Sequence, residues 1–419
     1  VDAFYASAYM MSTDEVYDYL TSEKGSNLSE DKFHIMCENT NKICDSIVGY
    51  NLSHTSVIPK IRFNVEPLNN FYHDMVRHYP EETKSVQAMI DNNNPSDIHL
   101  LNLLVEPWHN LIAAEDEKAT VVELDYELEQ LFAISQQLNQ SMSDYFITMA
   151  KMIDIMWDEG DSLVGPGRGS GGSSIINYLL GITQINPLKQ SVELPFWRFM
   201  HKERPGLPDI DIDTEANKRV RVFNKVQQYF QSIGGDLIHV CTFGTETSRA
   251  AINTAAKGLG VDDDVASYLT AMIPNQRGND WTLQQCYIGD EEHPQVKAFK
   301  DEIDKYPMLW EVASSIEGLI TRLGCHASGV LALNEPIWKS NSAMKTTKGI
   351  LVTAFDLEDT EQLGGVKYDY LTVQALDKIR TCMNLLLEDD RIEWQGSLRA
   401  TYNKYLHPDV INYTDRGMW

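Results

Sequence analysis

Basic residues are scarce in this sequence relative to acidic ones. Its 419 residues include 35 Lys and Arg against 61 Asp and Glu, so the formal net charge is −26. A protein that simply coats nucleic acid needs many Lys and Arg for phosphate contacts, so this balance excludes that class. An enzyme with a local basic cleft stays open, because seven basic residues cluster against the trend, and about half of them would be ordinary solvated charges: Arg198, Lys202, Arg204, Lys218, Arg219, Arg221 and Lys225.

Paired cysteines and long apolar runs are also missing. The six cysteines lie far apart and form no CxxC pair, which disfavours a zinc site or a disulfide framework and predicts a cytoplasmic protein. No apolar run approaches the roughly 18 residues of a membrane span, and no signal peptide opens the chain, so we expect no membrane contact. Because the chain begins with Val1 and stops at Trp419 after a polar stretch, we expect it to be a fragment of a longer protein.

The glycine-rich motif of P-loop ATPases is absent as well. GxxxxGK[ST] does not occur, which disfavours that class, and the spacing GxGxxG is met only within the glycine run GRGSGG at 167–172. Instead, LVGPGRGSGGSS at 163–174 stands between a predicted short apolar strand and the predicted apolar helix IINYLLGI. Glycines allow backbone N–H groups to approach an anion, and the following helix N-terminus would add positive field. The pattern predicts a phosphate-binding loop with Arg168 and Ser170 beside it; the alternative is a flexible Gly/Ser linker.

A second motif is PDIDID at 208–213. Asp209, Asp211 and Asp213 alternate with two isoleucines, so on a β-strand the three carboxylates would share one face while the isoleucines enter a core. Carboxylate oxygens are preferred ligands of Mg²⁺, which keeps coordination positions for substrate phosphates. The pattern therefore predicts a divalent-metal site. The alternative is a charged strand edge that resists aggregation.

Further strands are predicted downstream. Leu237 to Thr245 and GCHASGVLAL from Gly324 read as apolar strands, the second beginning beside His326; a lone His at the start of a strand is more often structural than catalytic. In VKYDYL, Lys367 and Asp369 are two residues apart and share a strand face. A lysine beside a carboxylate suits phosphate binding next to a metal ligand; the alternative is a surface ion pair.

Residues 246–318 read as mostly helical, and Thr13 is the predicted N-cap of an early helix.

Taken together, these motifs resemble a known family. VGPGRGS, GIT-x-INPL, RFMHKERPGLPDIDID, TFGT, HASGV and VKYDYL occur in the order found in the alpha subunit of bacterial DNA polymerase III, the C-family replicative polymerases with their phage relatives. The resemblance runs from about Leu124 to Leu387. Two departures are small-for-small changes expected to leave the chemistry intact: GSGGSS where GSAAGS or GSGAGS is commoner, and HASGV where HAGGV is usual.

The resemblance implies an α+β fold. We expect a polymerase-beta-like nucleotidyltransferase palm, a mixed sheet with helices, carrying an inserted helical thumb and helical flanks. The expected segments are a helical connector at 1–65, palm at 66–240, thumb at 241–318, palm again at 319–372 and the start of the fingers at 373–419.

The resemblance also implies a template-directed DNA polymerase. Asp209, Asp211 and Asp369 would be the catalytic residues and the ligands of two Mg²⁺ ions, with Mn²⁺ as a substitute. The dNTP phosphates would meet Arg168, Gly169, Ser170, Arg198, Arg204 and Lys367. The expected partners are primer–template DNA and dNTP, with a sliding clamp and other replisome subunits bound through regions outside this chain.

Two rival functions stay open. A glycosyltransferase that uses a nucleotide sugar and Mn²⁺ would explain Asp209-Ile210-Asp211, but it would leave the glycine-rich loop and VKYDYL unexplained. A non-catalytic acidic scaffold or DNA-binding subunit could keep the fold. The presence of all three aspartates counts against that second rival.

Overall fold

The computed structural model describes residues 10–22, 27–47, 49, 54–412 and 414–418. The chain divides into two compact units, one up to residue 53 and one from residue 54 onward. Residues 54–69 have no regular helix or strand, so the last part of the connector expected to be helical at 1–65 is not helical.

The first unit contains helices α1 (Thr13–Thr21) and α2 (Glu30–Ser46), which touch through an edge-on contact of Tyr17 and Phe33 with ring centroids 5.1 Å apart. The N-cap of α1 is Ser12, so the prediction of Thr13 is wrong by one residue. Ser12 Oγ accepts from the Glu15 N–H, and the Glu15 carboxylate accepts from the Ser12 N–H. This reciprocal capping box needs Glu three residues after the cap, a spacing that only Ser12 satisfies.

The second unit opens with a helical layer. Its members are α3 (Asn70–His78), α4 (Lys84–Asn92), α5 (Pro95–Leu111), α6 (Glu117–Leu138) and α7 (Ser143–Asp158). Between α4 and α5, the side chain of Asn94 accepts from the N–H groups of Ser96 and Asp97 while Pro95 occupies the first turn. Nearly every residue of α7 from Ser143 to Trp157 is buried, which makes this helix the centre of the layer.

A six-stranded mixed sheet packs on this layer. Its strands are β1 (Asp211–Glu215), β2 (Asp236–Thr245), β5 (Ile320–Leu333), β6 (Ala343–Lys345), β7 (Leu351–Thr353) and β8 (Val366–Val373), in the order β1-β8-β5-β2-β7-β6. The pairs β1–β8 and β2–β7 are parallel, and the others are antiparallel. Val330, Tyr368 and Tyr370 face the main core shared with α6 and α7, whereas Ile238, Val240 and Leu331 belong to a smaller cluster.

Short helices connect the strands. A one-turn helix, α8 (Ile175–Leu179), follows the glycine-rich loop, and α9 (Arg219–Ser232) joins β1 to β2. Two more, α15 (Ile337–Ser340) and α16 (Leu357–Gln362), lie between β5 and β8. After β8 the chain continues into α17 (Gln374–Glu388) and α18 (Leu398–Tyr405).

A helical insertion with its own core lies between β2 and β5. It contains α10 (Ser248–Leu259), α11 (Asp263–Ala271), α12 (Leu283–Tyr287), α13 (Lys297–Ile303) and α14 (Pro307–Ile316), with a small hairpin of β3 (Asn275–Gln276) and β4 (Asn279–Asp280). Phe299, Leu269 and Ile252 are among its buried residues. Gly260 ends α10 at φ +69°, a left-handed conformation that favours glycine. The sequence predicted this helical stretch.

Three local predictions need correction. The strand expected before the glycine-rich loop is reduced to one bridge between Val164 and Thr214. β1 begins only at Asp211, where its pairing with β8 starts, so Asp209 precedes the strand; the carbonyl of Pro208 accepts from the Tyr145 hydroxyl. His326 lies within β5, which starts six residues earlier at Ile320.

Candidate active site

Neighbouring strands bring the three predicted aspartates together. In the parallel pair β1–β8, Asp211 stands opposite Asp369, and Asp209 precedes β1 by two residues. Each of the three offers a carboxylate oxygen, and these oxygens lie within 4.8 Å of one another. We call this set the aspartate triad. Its donor set of hard oxygens fits a divalent cation such as Mg²⁺.

The strand pattern explains why the carboxylates share one face. Ile210 and Ile212 are buried beside Asp211, and Tyr368 and Tyr370 are buried beside Asp369. Successive side chains on a strand point to opposite faces, so burial of the apolar residues directs the acids to the other face. Burial and the negative charges of Asp209 and Asp369 raise the pKa of the Asp211 carboxyl, and the nearby cations only partly offset this.

Two cations lie against the triad. Lys367 Nζ is 2.8 Å from Asp369 Oδ2. Arg168 contacts two acids: its Nε is 3.7 Å from Asp211 Oδ2, and its Nη1 is 3.1 Å from Asp213 Oδ1. Burial works to lower the pKa of the Lys367 ammonium, but the hydrogen bond to Asp369 and the surrounding carboxylates outweigh it and raise that pKa. Lys367 is therefore a protonated, half-buried cation. Asp213 shares the face of Asp211 but pairs with Arg168 and lies outside the triad.

The glycine-rich loop runs directly beside the carboxylates. Gly169 has φ +61°, and a Cβ built there would be 3.5 Å from Asp211 Oδ2. At Gly165 a Cβ would be only 2.8 Å from the Cβ of Asp213, so any side chain there would force the loop away from β1. Glycine is thus required both for the backbone conformation and for the close approach. Ser170 follows in the loop, and its carbonyl accepts from the hydroxyl of Ser173.

The helix after this loop does not offer its N-terminus to an anion. The carboxylate of Glu127, fully buried on α6, accepts from Ser174 Oγ at 2.7 Å, from the Ile176 N–H at 3.1 Å and from the Ile175 N–H. Burial raises the pKa of Glu127 to about 8, although these hydrogen bonds oppose the shift. The predicted contribution of the helix N-terminus to phosphate binding is therefore wrong, because a side chain of the protein already fills it.

Other predicted residues lie farther along the same segment. Arg198 ends a 3-10 helix (Phe196–Arg198), Arg204 lies in a loop, and both are exposed. No contact formed by the described residues joins either of them to the triad. Members of the basic cluster pair elsewhere, as Lys202 does with Glu129 at 2.6 Å and Lys218 with Asp161 at 2.6 Å.

A polar cavity of about 280 Å³ opens beside the triad. Asp209, Lys367, Glu361 and Ser56 are among the residues that line it. Burial, with the negative charges of Asp209 and Asp369, raises the pKa of the Glu361 carboxyl, and Lys367 offsets part of that effect. Sequence reasoning missed Glu361, since nothing in its spacing marks it as a neighbour of Asp209.

Tyr145 supports the backbone that carries Asp209. Its hydroxyl donates to the Pro208 carbonyl at 2.6 Å, and its ring stacks on Tyr368 with centroids 5.3 Å apart. Tyr145→Phe should lower the free energy of unfolding by about 1–3 kcal/mol, because a buried carbonyl loses its donor. Urea denaturation measures this.

The neighbouring ring gives a matched control for that substitution. The Tyr368 hydroxyl is buried without a hydrogen-bond partner among the described residues, so Tyr368→Phe should leave stability unchanged or slightly higher. Equal losses in the two variants would contradict a specific role for the Tyr145 hydroxyl.

Among the described residues, no helix is both long and apolar enough to cross a membrane.

Comparison with known proteins identifies the family. Residues 99–372 match the family model of the bacterial DNA polymerase III alpha NTPase domain. The probable DNA polymerase YorL of Bacillus subtilis (strain 168) and the DNA-directed DNA polymerase of Bacillus phage SPbeta are each 40% identical over 431 aligned residues, which cover 100% of this chain and 32% of theirs. DNA polymerase III subunit alpha of Bacillus subtilis (strain 168) is 29% identical over 304 residues, 71% of this chain and 25% of that protein.

This chain thus spans about a third of the length of the first two relatives. Its matched region includes the glycine-rich loop, the aspartate triad and the helical insertion. The chain belongs to the bacterial DNA polymerase III alpha family.

Proposed function

We propose that this chain is the catalytic core of a template-directed DNA polymerase, which transfers a nucleotidyl group from a dNTP to a primer 3′-hydroxyl. The observation that carries the proposal is the meeting of three elements: the triad within 4.8 Å, the backbone of Gly169 against Asp211, and Lys367 on Asp369. Phosphoryl transfer needs carboxylates that bind a cation, a backbone that approaches the phosphates and a positive charge that neutralises them. The triad, Gly169 and Lys367 would supply these three parts. The relatives' names, which describe DNA polymerases, support the same reaction.

Asp209, Asp211 and Asp369 would hold two divalent ions, Mg²⁺ or Mn²⁺. When bound, such ions lower the pKa of an attacking hydroxyl and stabilise the charge on the leaving pyrophosphate. The chain itself would hold these ligands in position. Asp211 and Asp369 lie on paired strands, so their spacing is held by backbone hydrogen bonds, whereas exposed Asp209 is free to adjust.

The loop and the cations would position the triphosphate. We assign Gly169 and Ser170 to backbone and hydroxyl contacts with phosphate oxygens, and Arg168 and Lys367 to charge neutralisation. Exposed Arg198 and Arg204 would reach the phosphates from the segment that leads into β1. Fixing the phosphates beside the carboxylates converts the reaction to an effectively unimolecular one, which is a large part of the available rate gain.

The fold supports the same assignment at a coarser level. A mixed sheet covered by helices is compatible with a polymerase palm, and we propose that it is of the polymerase-beta type. The insertion between β2 and β5 would be the thumb, and α17 with α18 would begin the fingers. Primer–template DNA, a sliding clamp and other replisome subunits would be the partners of the longer protein.

A substrate test separates this function from its rivals. The natural protein that carries this sequence should extend a primed template with four dNTPs and Mg²⁺, and should stop when EDTA removes the metal. The 419-residue chain should bind a dNTP calorimetrically only with Mg²⁺ present. Turnover of a UDP-sugar with Mn²⁺, without extension, would instead establish the glycosyltransferase. Metal-independent DNA binding without extension or dNTP binding would establish the scaffold.

A further inference from the structure

Ser328 contacts the most buried carboxylate of the triad. Its hydroxyl donates to Asp369 Oδ1 at 2.9 Å, while Lys367 Nζ lies 2.8 Å from the other oxygen, Oδ2. Both residues are buried, with Asp369 5% and Ser328 8% exposed. Each oxygen of Asp369 therefore has its own donor, and the plane of the carboxylate is held from two sides.

An irregularity in β5 places Ser328 there. On β2, His239 pairs with Val330 and Cys241 with Cys325, so only Val240 on β2 stands opposite the segment 326–329 on β5. Extra residues of this kind bulge from a sheet and redirect their side chains. Meanwhile Gly329 keeps its regular place opposite Asp369 on β8, which brings Ser328 next to that aspartate.

His326 closes the bulge. Its Nδ1 accepts from the Gly329 N–H at 2.7 Å and from the Ser328 N–H at 3.3 Å, which fixes the backbone that carries the serine hydroxyl. A Cβ at Gly329 would be 2.8 Å from that same Nδ1, so the contact requires glycine. The structural role expected for His326 is thus to hold the backbone of Ser328 and Gly329. The sequence expectation that serine at 328 leaves the chemistry unaffected does not account for its direct bond to Asp369.

We propose that Ser328 is a positioning residue, which holds the Asp369 carboxylate in the orientation that binds a divalent cation. This inference rests on the proposed function, since it assigns the triad to metal. Without the serine, the only described partner left to Asp369 is the ammonium of Lys367, which can draw both carboxylate oxygens toward itself. Binding a metal would then require the carboxylate to turn back. Partners that orient metal ligands are worth about 10–100-fold in metal affinity or activity.

Two effects of the serine hydroxyl oppose each other. As a donor it lowers the electron density on Oδ1 and so weakens the carboxylate as a ligand. As an orienting contact it removes the cost of fixing the carboxylate on binding. Because Lys367 competes for the same group at 2.8 Å, we expect orientation to dominate.

The test is calorimetric titration of the 419-residue chain with Mn²⁺. Ser328→Ala and Ser328→Gly should each raise the Mn²⁺ dissociation constant about tenfold. Ser328→Thr keeps the hydroxyl and should restore binding close to that of the unsubstituted chain. Ser135→Ala is the matched control, because it removes a buried hydroxyl that bonds to Leu131 and Met142, so it should lower the melting temperature without changing Mn²⁺ affinity.

The possible outcomes separate the two proposals. Unchanged Mn²⁺ affinity in folded Ser328→Ala and Ser328→Gly would overturn the role of Ser328 and leave the metal site standing. Equal weakening in Ser328→Thr would mean that side-chain size, not the hydroxyl, matters, and would also overturn it. Absence of Mn²⁺ binding in the unsubstituted chain would overturn the metal site itself, together with the role of Ser328. In the natural polymerase, the half-saturating Mg²⁺ concentration should rise in Ser328→Ala, with little change in the rate at saturating metal.

Discussion

Asp211→Asn and Asp369→Asn should each reduce single-turnover primer extension by about 10³-fold or more, which corresponds to about 4 kcal/mol of transition-state stabilisation. The expectation follows from the register that sets these two residues side by side on β1 and β8. Either substitution leaves two acids where three carboxylate oxygens now lie within 4.8 Å. Asp209→Asn should also be severe, but its exposed position before β1 gives the backbone more freedom to compensate.

The control for these variants removes the same charge elsewhere. Asp158 lies at the exposed end of α7, so Asp158→Asn changes the net charge equally and should extend primers at the unsubstituted rate. Thermal melting of each variant separates loss of chemistry from loss of fold. Removing one of the crowded negative charges should leave the stability of Asp211→Asn unchanged or raise it. Extension by Asp369→Asn within tenfold of the unsubstituted protein, a change of about 1.4 kcal/mol, would contradict the assignment.

Glu127→Ala should lower the free energy of unfolding by about 3–5 kcal/mol. The substitution leaves three donors in the protein interior without their acceptor: the Ser174 hydroxyl and the N–H groups of Ile175 and Ile176. Each unsatisfied buried donor costs about 1–3 kcal/mol, and removal of the side chain also opens a cavity. Glu127→Gln keeps one acceptor oxygen and should lose less.

Urea denaturation measures these losses, and Glu129→Gln supplies the control on the same helix. Glu129 is a surface residue paired with Lys202, and such pairs contribute about 0–1 kcal/mol. If Glu127→Ala and Glu129→Gln were equally stable, Glu127 would not be holding the glycine-rich loop.

The pH dependence of stability reports on the same residue. Burial raises the pKa of Glu127 from 4.5 to about 8, so the folded chain keeps a proton on Glu127 that the unfolded chain has released. Stability due to Glu127 is therefore greatest at low pH and falls as the pH rises from 4.5 to about 8. The negative charge of nearby Glu123 also raises the pKa of Glu127. In Glu127→Gln this part of the pH dependence should disappear. Subtracting the stability–pH curve of Glu127→Gln from that of the unsubstituted chain isolates the contribution of Glu127.

Local patterns predicted the parts of the site that depend on chain geometry alone. Alternation predicted that Asp211 and Asp213 share a face, as do Lys367 and Asp369, because successive residues on a strand point in opposite directions. Asp209, predicted to lie on the same strand as Asp211, precedes β1 instead. The glycine-rich stretch predicted a loop whose backbone binds phosphate, and this stays a prediction; in the structure Gly169 of that loop lies against Asp211. None of this required knowledge of distant contacts.

Contacts between distant segments were not predictable in the same way. No local pattern around Tyr145 indicates its bond to Pro208, which joins positions 63 residues apart. Ser328 reaches Asp369 only because β5 bulges, and no local pattern announces that irregularity. Glu127 did leave a signal, since it interrupts the apolar stripe of Leu124, Leu128 and Leu131, where a charged residue needs buried partners.

The most direct test of the metal site is Mn²⁺ titration of the 419-residue chain, followed calorimetrically, with and without a dNTP. The triad predicts saturable binding that Asp211→Asn and Asp369→Asn abolish and Asp158→Asn preserves. A dNTP should increase the number of ions bound, because phosphate oxygens complete the coordination of a second ion. Binding that persists unchanged in both triad variants, or a folded chain that binds no Mn²⁺ with or without the dNTP, would contradict the account.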